Sequence, residues 1–279
     1  MVDKIVFAGD GHGGIAAFKS LQKEFESIEV VTNDPEIISL FRSTDKKIKT
    51  ILESDSELVV CAGYHSIIEK EILDKKTIIN THPSLLPKYR GRHALVWAML
   101  NFEKELGFTI HLMNEYIDDG DILEQFVIKY ENQTSYEIMK KFDEFVLNNL
   151  GKIVKKFLNN EIIPQKQNKN DATWVSKRNI KDCLIDFDRS NDYIKMLFKA
   201  LVRPYPLPML KIKNRLYEVS KHTIKTINYE MHLGRVVNIE DGIVYIKILD
   251  GLLLVEELID FETKEIINPA NILKIGQRL

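Results

Sequence analysis

A chain of 279 residues with 44% hydrophobic and 29% charged residues has the makeup of a folded globule, which excludes a disordered protein. Lys and Arg number 39 against 41 Asp and Glu, a net charge of −2, so there is no global electrostatic case for nucleic acid. Two cysteines, Cys61 and Cys183, without a CxxC partner exclude a disulfide framework and a structural zinc site. No apolar run spans a bilayer, and MVDKIVFAGDG goes straight into a strand, so a cytoplasmic protein without membrane contact is expected.

Lys4 to Ala8 is an apolar run, followed by Gly9-Asp10-Gly11-His12-Gly13-Gly14 and a helical stretch over 15–24. Strand, glycine turn and helix make the first unit of a doubly wound sheet. Three readings of the turn stand side by side. Gly9, Gly11 and Gly14 fit the dinucleotide fingerprint, with Asp34 twenty residues beyond, which would give an NAD-binding oxidoreductase. The turn could instead cradle a substrate phosphate with Gly11, His12 and Gly13. Or it simply lets strand and helix pack.

Glu29–Thr32 and Glu57–Cys61 read as further buried strands, with a helix over Pro35–Arg42 and Lys46-Lys47-Ile48-Lys49 as a solvated helix face. Thr77-Ile78-Ile79 is a short β-branched strand ending in Asn80-Thr81-His82-Pro83. Strand alternation points Asn80 and His82 to one side, at the carboxyl end where open α/β sheets hold ligands. A buried helix over 93–100 and a strand over 108–113 come after it. Next is the acidic loop Ile117-Asp118-Asp119-Gly120-Asp121, which can bring Asp118 to His82. His82, His93 and His111 fall on separate elements and form no metal-ligand cluster, so no metal is expected.

The block from Asn80 to Asp118 resembles the formyltransferases that use N10-formyltetrahydrofolate. They include methionyl-tRNA formyltransferase and the sugar-nucleotide N-formyltransferases. The residues that carry the likeness are Asn80, His82, Ser84-Leu85-Leu86-Pro87, Tyr89-Arg90-Gly91, Gly107-Phe108-Thr109-Ile110-His111, and Asp118 seven residues beyond His111. The resemblance implies a catalytic set of Asn80, His82 and Asp118. It places the folate against Gly63, Tyr64, Ile67, Ser84, Leu85, Leu86, Ile117 and Asp118. It also places the acceptor's phosphate near the first loop, with Lys88, Tyr89 and Arg90 supplying a basic, aromatic turn for a nucleotide diphosphate. It disfavours the nicotinamide reading.

Formyl transfer needs a donor for the oxygen that becomes negative and an acceptor for the amine's proton. Asn80 can donate. His82 can donate or shuttle the proton, with Asp118 beside it favouring imidazolium. His111 reads as structural.

Beyond an edge strand over 125–131, an amphipathic helix carries Ile138, Phe142, Phe145, Leu150, Ile153 and Phe157. Asn159–Asn170 has linker composition. Short strands over 210–212, 216–219, 234–237, 243–248 and 252–258, with Asp241-Gly242 and Asp250-Gly251 turns, read as a small domain. The expected architecture is α/β: a Rossmann-like, open, mostly parallel sheet with helices on both faces, plus a smaller carboxyl-terminal open β-barrel (OB-like). The boundaries are 1–172 for the catalytic domain, 173–200 for a connecting segment and 201–279 for the barrel-like domain. From Lys181 to Leu279 there are 15 Lys and Arg against 14 Asp and Glu, a balance that favours an amino-sugar nucleotide over methionyl-tRNA as acceptor. A homodimer is left open.

Overall fold

The structure, a computed structural model, describes residues 4–279; Met1–Asp3, counted in the expected first domain, lie outside the described residues. It separates into two units. The first takes residues up to 98, 103–132 and 137–177; the second takes 99–102, 133–136 and 178–279.

The first unit is built on β1 (Lys4–Gly9), whose alternating side chains serve two faces. Phe7 meets Phe18 of α1 (Gly11–Gln22) at 5.5 Å between ring centroids. Val6 and Ala8 point the other way, into a buried cluster with Ile48, Ile51, Val59, Cys61 and Ile78. A strand run apolar on both faces is what a sheet covered on both sides requires. β2 (Ser27–Val31), α2 (Pro35–Ser39), β3 (Lys46–Lys47), β4 (Leu58–Ala62), α3 (Lys70–Lys75) and β5 (Thr77–His82) continue the doubly wound pattern. After β6 (Arg90–Gly91) and α4 (Ala94–Leu100), β7 (Glu105–Leu112) and β8 (Ile122–Lys129) complete the sheet, and α5 (Ser135–Leu158) and β9 (Trp174–Val175) come next. The strand order is β3-β2-β1-β4-β5-β7-β8. Ladders from β3 through β5 are parallel, whereas β7 pairs antiparallel with both β5 and β8. Helix α5 lies on α1 with almost no gap: a Cβ built on Gly151 would clash with the Ser20 carbonyl oxygen.

Three expectations are corrected by the fold. Helix α1 begins at Gly11, so the glycines form its first turn and not a loop ahead of it. Asp34 is engaged twice, capping α2 through the Glu36 and Ile37 amides and accepting the Gly11 N–H at 2.8 Å. That commits both Asp34 oxygens to backbone amides and leaves no free Gly11 amide for a phosphate. Finally, Lys46-Lys47 is an edge strand paired with β2, with Ile48 buried beyond it. Lysines on a short edge discourage further pairing, which explains a tract that looks helical by composition.

The second unit carries α6 (Asn191–Ala200), capped by the Ser190 hydroxyl, and an antiparallel sheet. Its strands are β10 (Met209–Ile212), β11 (Arg215–Thr226), β12 (Val236–Glu240), β13 (Ile243–Ile248), β14 (Gly251–Asp260) and β15 (Ile266–Ile267). They run in the order β10-β11-β14-β13-β12, with β15 on β14. Asp241 and Gly242 both have positive φ, 50° and 81°, the signature of the tight hairpin turn that joins β12 to β13. Among the described residues no ladder joins β10 to β12, so the sheet is open. The expected connecting segment divides at Lys177: residues from 178 onward belong to the second unit, where Phe198 of α6 stacks on His222 of β11. Among the described residues no helix is long and apolar enough to cross a membrane.

Candidate active site

β5 runs on past its apolar half because β7 pairs against its polar end, with Asn80 opposite His111 and His82 opposite Thr109. Directly opposed residues share a face of the sheet. The antiparallel insertion of β7 therefore sets His111 beside Asn80, a neighbour that strand alternation within β5 alone does not reveal. The chain leaving β7 then loops back, placing an Asp118 oxygen 3.5 Å from His82 Nδ1 and the other 3.6 Å from His111 Nε2. Asn80, His82 and Asp118 are thus brought together, with His111 among them.

The hydrogen bonds fix which proton sits where. His111 Nδ1–H donates to the Leu112 carbonyl at 2.7 Å, which leaves Nε2 to accept from the Asn80 amide at 3.2 Å. Burial pushes His111 down to about 4 despite the nearby Asp118 carboxylate, so the ring is neutral at ordinary pH. One N–H of Asn80 is therefore used for orientation and the other remains for a ligand. His82 Nε2–H donates to the Tyr89 carbonyl at 2.8 Å, with Nδ1 facing Asp118. The Asp118 carboxylate accepts the Gly91 amide at 2.8 Å from a backbone with φ of 50°. An oriented amide donor, an imidazole and a carboxylate in one pocket can stabilise a developing oxyanion and carry a proton away from it.

The expectation for Arg90 is corrected, and other residues expected to meet a ligand also have partners within the protein. The Arg90 guanidinium is 4% exposed and does not face an acceptor: it pairs with Asp119 at 2.6 Å and with Gln167 Oε1 at 2.7 and 3.2 Å. Lys88 and Tyr89 both turn to Glu103, at 3.3 and 2.8 Å. The Ser84 hydroxyl donates to the Lys88 carbonyl, and the Ser84 carbonyl accepts from Thr109. Leu86 is 3% exposed, its carbonyl taken by Gln125. Leu85 packs on Gly107, where a Cβ would overlap its side chain. The Ser84–Leu86 stretch is thus clamped by β7 and β8 through Thr109 and Gln125.

His12 and Gly63 are exposed, Gly13 and Tyr64 half-buried. Ile67 and Ile117 are 88% and 69% exposed, apolar side chains left open on the loops after the two strands flanking β5. Gln167 was missed because it falls in a stretch of linker composition. Yet that stretch pairs with the sheet of the first unit, Gln165 exchanging both backbone bonds with Ile122. Among the described residues, no group of three or more His, Cys, Asp or Glu is placed to hold a metal ion.

Comparison with known proteins bears on the same residues. The formyl transferase family matches residues 39–154, and the formyl transferase carboxyl-terminal domain matches 179–276. A methionyl-tRNA formyltransferase of Clostridium tetani is 30% identical over 227 residues, 80% of this chain and 73% of its own. Among solved structures, an N-formyltransferase from Helicobacter canadensis in complex with folinic acid and dTDP-3-aminofucose superposes with a TM-score of 0.68 at 20% identity, covering 91% and 98% of the two chains. HypX from Aquifex aeolicus with tetrahydrofolic acid gives 0.66 at 17% identity over 96% of this chain, which spans about half (46%) of that protein.

Proposed function

The chain belongs to the formyl transferase family, and from that premise we propose that it moves a formyl group from N10-formyltetrahydrofolate to the amino group of an amino-sugar nucleotide. The observation that carries formyl transfer is the convergence of Asn80, His82 and Asp118, with Asn80 oriented by a neutral His111. The open apolar side chains Ile67, Tyr116 and Ile117, on the loops after β4 and β7, fit the flat ring of a reduced folate. Bound there, the folate supplies the carbonyl carbon that the amine attacks. Asn80's free N–H then meets the carbonyl oxygen as charge develops on it, a contribution of roughly 3–4 kcal/mol to the barrier. His82 takes the amine's proton at Nδ1, the nitrogen left bare while Nε2–H holds the Tyr89 carbonyl, and Asp118 stabilises the ring while it carries that proton. The bond from the carbonyl carbon to N10 then breaks, and N10 takes the proton from His82 as tetrahydrofolate leaves.

The acceptor reading is supported by the balanced charge of the second unit and by the sugar-nucleotide ligand of the Helicobacter canadensis neighbour. A second reading, methionyl-tRNA, is favoured by the Clostridium tetani relative. Incubation with N10-formyltetrahydrofolate and either a panel of 3- and 4-amino-sugar nucleotides or charged initiator tRNA separates the two, with the formylated product identified by mass. Formylation of the tRNA alone overturns the sugar assignment.

A further inference from the structure

We propose that Arg90, Asp119 and Gln167 are positioning residues that hold the Asp118 carboxylate against His82. The assignment rests on the catalytic reading of that carboxylate. Asp118 sits in a loop with no repeating structure and has a left-handed φ of 50°, a conformation that costs a non-glycine residue about 1 kcal/mol. Something outside the loop must hold it there.

One side-chain amide does most of that. Gln167 Nε2 donates to the Asp118 carbonyl and to the Gly120 carbonyl, both at 2.8 Å, and so clips the loop at two points. Gln167 is itself fixed because its Oε1 accepts two guanidinium N–H groups of Arg90, at 3.2 and 2.7 Å. The third guanidinium nitrogen reaches Asp119 at 2.6 Å, the residue between the two clipped carbonyls. The loop cannot relax toward β7, since Gly120 already lies so close that a Cβ there would overlap the Leu112 carbonyl oxygen.

The ring closes through the backbone. Arg90 is followed by Gly91, whose N–H donates to the Asp118 carboxylate at 2.8 Å. A single short strand, β6, thus grips the loop through the Arg90 side chain and aims its carboxylate through the next amide. Arg90 and Gln167 are 4% and 8% exposed, so these bonds form out of competition with water. A shift of about 1 Å in a reacting group is enough to cost roughly a hundredfold in rate.

The test compares Gln167→Leu with the parent chain. The Gly91 amide resonance in a 1H–15N spectrum, moved downfield by its carboxylate partner, should return toward an ordinary amide position. With the acceptor that the formylation assay identifies, kcat should fall roughly ten- to a hundredfold, while KM for N10-formyltetrahydrofolate stays within about twofold. Arg90→Lys keeps the charge toward Asp119 but loses the fork, and should fall between the two. A folded Gln167→Leu protein with the Gly91 resonance and kcat unmoved overturns the proposal. If that variant gives no dispersed spectrum, Asp119→Asn is read the same way. Collapse of both means the three residues serve the fold as a whole, and the proposal falls. The Gly91 resonance needs neither folate nor acceptor, so its outcome is independent of the acceptor assignment.

Discussion

Glu218 in the second unit and Asp118 in the first are both acidic side chains shut away beside a sheet, and they are treated in opposite ways. Glu218, with 0% exposure, takes both arms of Arg203 at 2.9 and 2.6 Å and the Leu207 amide at 3.1 Å. Lys247, 1% exposed, donates to the carbonyls of Ile248, Leu249 and Gly251. These groups are saturated at short range by partners fixed in the backbone or in a planar fork, which is what structural polar burial looks like. At the β5–β7 junction the contacts are looser. Asp118 accepts the Gly91 amide at 2.8 Å but stands 3.5 and 3.6 Å from two imidazoles, and Asn80 has one N–H committed while its residue remains half-open. Buried polar groups with unused capacity are what a ligand can complete, whereas saturated ones can only hold a fold.

The contrast can be broken first at Asn80. Asn80→Ala should lower kcat/KM on the order of 10²- to 10³-fold, the loss expected when one oxyanion donor is removed. The unfolding temperature should stay within a few degrees, because no saturated network is cut. A large stability loss in that variant would place Asn80 with the structural class. The mirror experiment is Arg203→Ala. It strands the Glu218 carboxylate in the second unit and should cost about 3 kcal/mol by denaturant unfolding, with kcat per folded molecule unchanged.

Acid titration sharpens the comparison within the site itself. His111 is held down at about 4, whereas in an unfolded chain it protonates near 6.5. The unfolded state therefore binds the extra proton first as pH falls. The stability that His111 contributes is fully present above about pH 6.5 and is lost progressively toward pH 4, on the order of 3 kcal/mol in all. His111→Gln keeps an acceptor for Asn80 but does not titrate, and should flatten that part of the stability curve. A parent profile with no decline between about pH 6.5 and 4 removes the neutral-imidazole assignment.

How much of this could be read from residues alone depends on where the information resides. The β-branched run before Asn80, the spacing of Asn80, His82 and Asp118, and the apolar faces of α1 and α5 are local patterns, and each led to the right element. His111's part in orienting Asn80 depends on β7 pairing antiparallel, a property of the sheet and not of either strand. The internal partners of the expected ligand residues share one cause. Arg90, Ser84 and Leu86 have the chemistry of ligand-binding groups, but their partners, Gln167, Lys88, Thr109 and Gln125, are set by tertiary folding. Gln167 is the clearest instance: in a tract of Gln, Asn and Lys nothing distinguishes a solvated amide from one that clips a loop. The Lys46-Lys47 edge strand is ambiguous for a similar reason, since two lysines suit a strand edge and a helix surface equally.

The smallest effect returns to the second unit and asks whether its stacked histidine behaves as core. His222 lies flat on Phe198, with ring centroids 3.4 Å apart and planes 15° from parallel. Burial lowers its pKa while Glu256 on β14 pulls the other way. The net depression means that protonation favours the unfolded chain, so part of the second unit's stability is lost as pH drops through the ordinary histidine range. His222→Phe should keep the stack and abolish that pH dependence, leaving stability at neutral pH close to the parent value. Denaturant midpoints for the two proteins at neutral and mildly acidic pH provide the measurement. Equal acid losses would mean that the Glu256 attraction offsets burial completely and that the stack contributes packing alone.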